Sequence, residues 1–221
     1  MDGLLLRTGA RPAAENMAVD ELLLESTADE RQPVLRFYGW SEPAATFGYF
    51  QKYKDVERMT ALRPLVRRPT GGGLVPHDAD WTYSLVFPPT ADWYHLKAVE
   101  SYRAVHAWIK EAFARVGLAS ELAAKRAPEQ IGQCFVGAEQ FDVVHEDRKI
   151  AGAAQRRTKG GLLIQGSIQP PSSVSRVAWE DAFIQVAGAT WRPLTLDHAF
   201  ETRVGELAAN KYASEGYNQR R

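Results

Sequence analysis

Several features are scarce in this 221-residue chain, and each scarcity excludes a class of protein. Cys134 is the only cysteine, so no disulfide can form within the chain, and we expect a reducing, cytoplasmic compartment. Basic and acidic side chains number 27 each, so no net charge points to nucleic acid or to a membrane surface. No apolar run approaches the roughly 20 residues of a membrane span, and the N-terminus lacks the cationic start of a signal peptide.

The familiar phosphate-binding motifs are also absent, although one segment has the residue types that suit an anion. Neither the P-loop spacing nor the dinucleotide fingerprint occurs. The segment RRPTGGGLVPHD instead offers two forked arginine donors, Arg67 and Arg68, before three glycines. The backbone amides of Gly71–Gly73 can point at an oxyanion, and His77 and Asp78 close the segment. The residues alone leave open a tight turn with surface arginines.

A second segment, KIAGAAQ, begins at Lys149 and has small residues in a β-type run. Small side chains leave room for a ligand to lie against a sheet, and a lysine at the base of such a groove can hold a carbonyl or phosphate oxygen. An exposed hairpin lysine is the alternative. Cys134 precedes this run, and a lone cysteine is a nucleophile only where its thiolate is favoured, being otherwise a small buried hydrophobe.

The order of predicted elements indicates a strand-rich centre flanked by helices. A helix follows Pro12, Val34–Trp40 and Trp81–Pro88 are predicted strands, and FDVVHEDRKIAGAAQ is a predicted hairpin. Residues 96–116 carry an apolar stripe of helical period, which includes Val99 and a packed core histidine, His106. The terminal SEGYNQRR is expected to be frayed.

These elements predict an α+β, or mixed α/β, fold with a largely antiparallel sheet. No break in composition divides the chain, so residues 1–221 are expected to form a single domain.

Four segments, taken in order, resemble the lipoate-protein ligase and octanoyltransferase family, the cofactor-attachment group that also includes biotin-protein ligases. They lie between Pro12 and Ile168 and read PAAENMAVDELLL, EPAATFGYFQ, RRPTGGGLVPHD and DRKIAGAAQRR. The resemblance implies a mixed sheet with flanking helices of the biotin/lipoate-ligase type. It also implies that the glycine loop borders a narrow acyl pocket, with its backbone directly alongside the acyl chain.

The resemblance further implies which residues form the site. Lys149 matches a family lysine that is expected near the activated acyl carbonyl, and Cys134 resembles the nucleophile of the cysteine-dependent octanoyltransferases. Substrate-binding positions carried over from the matched motifs are Arg67, Arg68, Thr70, Gly71, Gly72, Gly73, His77, Asp78, Gly152, Ala154 and Gln155. No metal is implied. The family commonly reads His-Gly where this chain has Gln165 and Gly166, and a glutamine cannot act as a base at neutral pH.

The family divides by mechanism, and both branches remain open at this stage. The transferase branch takes octanoate from acyl carrier protein through a cysteine thioester. The ligase branch uses Mg-ATP to make an acyl-adenylate, and the third glycine of the loop favours it. No tightly bound cofactor is implied in either case. The acceptor is a lysine of a lipoyl domain or of the glycine-cleavage H protein.

We expect no counterpart of the C-terminal accessory domain that many ligases carry, which favours transfer, while a ligase would need a separate accessory subunit. A non-catalytic acyl-binding or regulatory homologue is the third hypothesis, since Gln165 replaces the family histidine.

Overall fold

A computed structural model describes residues 2–124 and 137–220 of the chain. Within these ranges the strands are β1 Asp2–Arg11, β2 Val34–Trp40, β3 Ala44–Phe47, β4 Leu65–Arg67, β5 Val75–His77, β6 Trp81–Phe87, β7 Glu121–Leu122, β8 Val143–His145, β9 Arg148–Thr158, β10 Gly161–Ile168 and β11 Thr190–Pro193. Eight of these described strands form one sheet in the order β11, β1, β2, β6, β10, β9, β8, β7, and β4, β3, β5 form a second, small sheet.

Helices cover both faces of the large sheet. They are α1 Ala13–Glu30, α2 Tyr53–Glu57, α3 Asp92–His95, α4 Ala98–Arg115, α5 Arg176–Val186, α6 His198–Leu207 and α7 Glu215–Asn218, with a π-helical turn Ala208–Tyr212 after α6. Because side chains alternate along a strand, each strand supplies both faces. Leu35 and Phe37 pack with α4 and α5 on one face, whereas Val34 and Val86 pack with α1 and α6 on the other.

The predicted fold class is confirmed. Among the described strands of the large sheet, β1 pairs in parallel with β2 and β11, and the other five neighbouring pairs are antiparallel. The strand predicted at Val34–Trp40 has those bounds, and the helix predicted over 96–116 is Ala98–Arg115. Among the described residues, none of the helices combines the length and the apolar character needed to cross a lipid bilayer.

Two local predictions are wrong, and tertiary contact explains one of them. Glu215–Asn218 forms α7 instead of a frayed end, because Asn218 is buried and its side-chain oxygen accepts a hydrogen bond from the Arg67 amide at 2.8 Å. Val99, placed on the apolar stripe of α4, is 52% exposed, while Val105 is fully buried.

The predicted core histidine, His106, is fully buried, and this burial lowers its pKa to about 4.

Candidate active site

A cleft lies on the face of the large sheet that packs against α1, and two rows of residues cross this face. Six of their eight members form the cleft floor, and the other two, Arg36 and Ser84, are fully buried outside its lining. One cross-strand row, on β2, β6, β10 and β9, is Tyr38, Thr82, Ser167 and Gly152. The neighbouring row on the same strands is Arg36, Ser84, Gln165 and Ala154. Residues directly opposite each other on paired strands point to the same face, so the two rows form a continuous surface.

The small sheet, together with the loop between its strands β4 and β5, contributes the facing wall of the cleft. Residues from both sides line the cleft, namely Met17, Tyr38, Trp40, Thr46, Arg68, Val75, His77, Thr82, Lys149, Gly152, Ala153, Ala154, Gln165, Gly166 and Ser167. The cleft thus brings together Arg68, His77, Lys149, Gly152 and Ala154 from the predicted site. The lining is mainly apolar and small on the β9 side, which suits a long apolar chain.

Lys149 is a buried residue of the cleft wall and not an exposed hairpin lysine. Its side chain is 5% exposed, and its Nζ lies 2.7 Å from Oδ2 of Asp142, whose side chain is fully buried. A Cβ added to Gly152 would lie 2.6 Å from Cε and 2.8 Å from Nζ of Lys149. The lysine side chain thus extends across position 152, and a side chain there would displace its ammonium end. Asp142 was not predicted from the sequence.

Gln155 is the one predicted residue of β9 that faces away from the cleft. Strand alternation places it on the face opposite Ala154. Its Nε2 donates to the carbonyl oxygen of Ala98 at 2.8 Å, and its Oε1 accepts from Ser101 Oγ at 3.1 Å. Its side-chain amide thus holds the N-terminal turn of α4 against the sheet, and its predicted contact with substrate stays a prediction.

Arg67 and Arg68 are consecutive residues at the end of β4, so their side chains point in different directions and have different surroundings. Arg67 is fully buried, and its guanidinium donates to the carbonyl oxygens of Tyr49, Gln51 and Asn218 at 2.7–2.8 Å. It joins β4 to α7, and its predicted contact with substrate stays a prediction. Arg68 lines the cleft and donates to the carbonyl oxygen of Gly73 at 2.7 Å, so it shapes the glycine loop.

The glycine loop packs against another backbone segment. Gly72 has φ +83°, a left-handed conformation that favours glycine, and a Cβ on Gly48 would lie 1.9 Å from the Gly72 carbonyl oxygen. A Cβ on Gly71 would meet nothing within 4 Å. None of the three glycines belongs to the described cleft lining. The tight packing seen at the loop is thus between the backbones of Gly72 and Gly48. Direct contact between the three glycines and an acyl chain stays a prediction.

We expect Gly48→Ala to lower the free energy of unfolding by about 1–3 kcal/mol, because the methyl group would displace the glycine loop. Denaturant unfolding of the variant and the parent measures this. Gly71→Ala is the matched control within the same loop, and its open surroundings predict a change within about 0.5 kcal/mol. Equal losses in the two variants would contradict the steric explanation.

His77 is held in one orientation by partners on both ring nitrogens. Nδ1 lies 2.9 Å from Asp80 Oδ2, and Nε2 lies 2.8 Å from Thr46 Oγ1. The Trp40 ring stacks on the imidazole at a centroid distance of 3.7 Å. Asp80, and not the predicted Asp78, is the buried carboxylate here, since Asp78 is exposed. The role predicted for Asp78 in substrate binding stays a prediction, and the signal for Asp80 was a carboxylate three residues after His77.

Asp80 also orders the floor of the cleft. Ser167 Oγ donates to Asp80 Oδ2 at 2.6 Å, and Thr82 Oγ1 donates to the same oxygen at 3.1 Å. Trp40 Nε1 in turn donates to Thr82 Oγ1 at 2.7 Å. One buried carboxylate thus holds Thr82 and Ser167 of the first row together with the His77 imidazole.

Gln165 connects the glycine loop to α1. Thr70 Oγ1 donates to Gln165 Oε1 at 2.7 Å, and Gln165 Nε2 donates to Asp20 Oδ2 at 2.7 Å. Asp20 is fully buried and also accepts from Arg36 at 2.7 Å and from Ser84 at 2.7 Å. Thr70 is therefore bonded to the second row of the floor, and no direct contact with substrate has to be assumed for it.

The Asp20 network was missed in the sequence. Its only signal is a set of polar residues, Arg36 and Ser84, inside otherwise apolar strands. The predicted nucleophile, Cys134, lies outside the described residues, and its role stays a prediction.

The fold and the site together define a class of protein, a mixed α/β domain whose cleft has a small-residue floor, a buried lysine and two buried carboxylate networks. The family model for the lipoyl protein ligase A/B catalytic domain matches residues 12–178. The chain belongs to this family, as its four motifs imply.

Two curated relatives support the assignment, and one solved structure shares the fold. Octanoyltransferase LipM of Geobacillus kaustophilus is 37% identical over 174 residues, an alignment that covers 73% of this chain and 63% of that protein. Octanoyltransferase LipM of Halalkalibacterium halodurans is 30% identical, with 97% of each protein covered. A crystal structure of lipoate-protein ligase A bound with ATP superposes with a TM-score of 0.79 at 23% identity and covers 99% of each chain. This last likeness concerns the fold alone.

Proposed function

We propose that this chain transfers an octanoyl or lipoyl group to a specific lysine of a lipoyl domain or of the glycine-cleavage H protein, through a thioester on Cys134. The observation that carries the proposal is the Lys149 ammonium, held 2.7 Å from Asp142 in the wall of a small-residue cleft. The curated relatives that match most of the chain are octanoyltransferases, which supports this chemistry over other uses of the fold.

The first step of the proposed reaction is thioester exchange. The Cys134 thiolate adds to the acyl carbonyl of a carrier-bound octanoyl thioester, such as octanoyl-acyl carrier protein. Negative charge develops on the carbonyl oxygen, and its collapse expels the carrier thiolate, which takes up the proton that Cys134 lost. The ammonium of Lys149 supplies a fixed positive charge for that oxygen, and such electrostatic stabilisation is commonly the largest single contribution to catalysis.

The second step forms the amide. The neutral amine of the acceptor lysine adds to the carbonyl carbon of the new thioester, the Cys134 thiolate leaves, and the amine proton is transferred to it. His77 is a proposed proton acceptor, because Asp80 and Thr46 orient its ring at the cleft. Neither step needs a tightly bound cofactor or a metal ion.

An ATP-dependent ligase is the second candidate, and the three-glycine loop favours it. In that reaction lipoate or octanoate attacks the α-phosphate of Mg-ATP, pyrophosphate leaves, and the acceptor lysine then displaces AMP from the acyl-adenylate. A separate accessory subunit would then be a further partner.

Intact-protein mass spectrometry distinguishes the candidates. The chain is incubated with octanoyl-acyl carrier protein, or separately with octanoate and Mg-ATP, in each case with and without a lipoyl domain. We expect a hydroxylamine-labile octanoyl adduct from the carrier arm that is absent in Cys134→Ala, followed by modification of the lipoyl domain. Exposed Lys110→Met serves as a control and should behave as the parent.

Two other outcomes would overturn the thioester mechanism. ATP-dependent modification of the lipoyl domain that survives in Cys134→Ala would establish the ligase. Octanoate binding without modification in either arm would identify a non-catalytic homologue.

A further inference from the structure

The strand that carries Lys149 contains a bulge one residue after it. Val143 of β8 is opposite Ala151, but Val144 is opposite Lys149, so Ile150 is an extra residue on β9. Ile150 and Ala151 both pack in the core on the α4 face of the sheet. In a regular strand Lys149 would share the face of Ala151 and point into that core. The bulge reverses the alternation and places Lys149 on the cleft face with Gly152.

A hydrogen-bonded pair reaches the lysine from the opposite face of the sheet. Tyr102 lies on α4, and its hydroxyl donates to Oδ1 of the fully buried Asp142. The other oxygen of Asp142 lies 2.7 Å from Lys149 Nζ and accepts from the Glu139 amide at 2.6 Å. Burial, and then the charge of Asp142, raise the pKa of Tyr102, so its hydroxyl stays a donor through neutral and mildly alkaline pH.

We propose that Tyr102 and Asp142 are positioning residues for Lys149 in acyl transfer. The bulge selects the face, Gly152 leaves the space, and Asp142 holds the ammonium at the cleft wall in the orientation that Tyr102 imposes on the carboxylate. This inference rests on the proposed function for its catalytic meaning, while the geometry stands independently of it. A point charge on a flexible four-carbon chain stabilises a developing oxyanion only when it is held in place beforehand.

The variant Tyr102→Phe tests the proposal, because it keeps the ring against His106 and removes the hydroxyl that donates to Asp142. The same hydroxyl also accepts a long hydrogen bond from the Ala153 amide, at 3.5 Å. We expect kcat for octanoyl transfer to fall about tenfold to a hundredfold, with KM for the acyl donor within about twofold, since a lost hydrogen bond to a charged group has effects of this order. The matched control is Tyr94→Phe. The Tyr94 hydroxyl donates to the Thr158 carbonyl oxygen at the other end of β9, 3.0 Å away, and its loss should leave kcat unchanged.

A second readout is independent of activity. The rate of reductive methylation of Lys149, measured by peptide mass spectrometry against exposed Lys110, should rise at least about threefold in Tyr102→Phe and not in Tyr94→Phe. If Tyr102→Phe does not fold, Asp142→Asn is used instead, with a larger expected loss of kcat. If the parent shows no acyl transfer, the proposed function fails, and the methylation rates alone decide whether the pair positions Lys149. Unchanged kcat in an active enzyme, or unchanged methylation, would overturn the proposal.

Discussion

Replacing Lys149 with methionine is expected to lower the rate of acyl transfer by about a hundredfold or more. Methionine has a similar length and fills the space over Gly152, but it has no charge to offer the oxyanion. Removal of one such stabilising donor commonly costs a factor of 10²–10³. Single-turnover transfer of octanoate to a lipoyl domain measures the effect. Lys110→Met, at an exposed position on α4, is the control and should retain the parent rate.

Lys149→Arg refines this prediction. Arginine keeps the charge, but its planar guanidinium group is larger than an ammonium group. The end of the Lys149 side chain already occupies the space that a Cβ at position 152 would take, so little room is left for a larger group. We therefore expect at most a partial recovery of the rate. A methionine variant that transfers octanoate within about threefold of the parent would show that Lys149 has no part in the reaction.

Replacing Arg36 with methionine is expected to lower the free energy of unfolding by about 3–5 kcal/mol, because it leaves the Asp20 carboxylate buried without its ionic partner. Both side chains of this pair are fully buried, at an Nη1–Oδ1 distance of 2.7 Å. Denaturant unfolding measures the loss. The matched control is Arg115→Met, which removes an exposed ion pair with Glu111 and should cost under about 1 kcal/mol.

The double variant Arg36→Met with Asp20→Asn identifies the cause of that loss. Asparagine removes the uncompensated charge and keeps one acceptor oxygen, which can accept from Gln165 and Tyr38, so it should recover part of the lost stability. A double variant less stable than Arg36→Met alone would indicate that packing around Arg36, and not the buried charge, dominates. Because Gln165 joins Asp20 to Thr70, we also expect both variants to reduce activity through the glycine loop.

Local patterns were sufficient for much of the fold. A mainly apolar run, interrupted only by Arg36 and Gly39, defines β2. The polar turn between two β-type runs defines the β8–β9 hairpin, and helical periodicity defines α4. Each of these signals depends on residues close in sequence. The strand β1 had no such signal, because its sequence alternates weakly and it acquires its pairing from β2 and β11, which lie elsewhere along the chain.

The sequence by itself determined the family, the strand-rich mixed fold and the residue types available to the site, since motif order, periodicity and turn residues are properties of the linear chain. The tertiary structure decided which of those residues meet. It gave Arg67 and Arg68 different surroundings and paired His77 with Asp80 instead of Asp78. It also bonded Asp20 to Gln165 and Asp142 to Lys149, two residues of the cleft, with Tyr102 behind Asp142. These outcomes depend on strand register, one bulge and packing between distant segments. A single inserted residue reverses the face of a side chain, and for this reason the position of Lys149 could not be read from its local sequence.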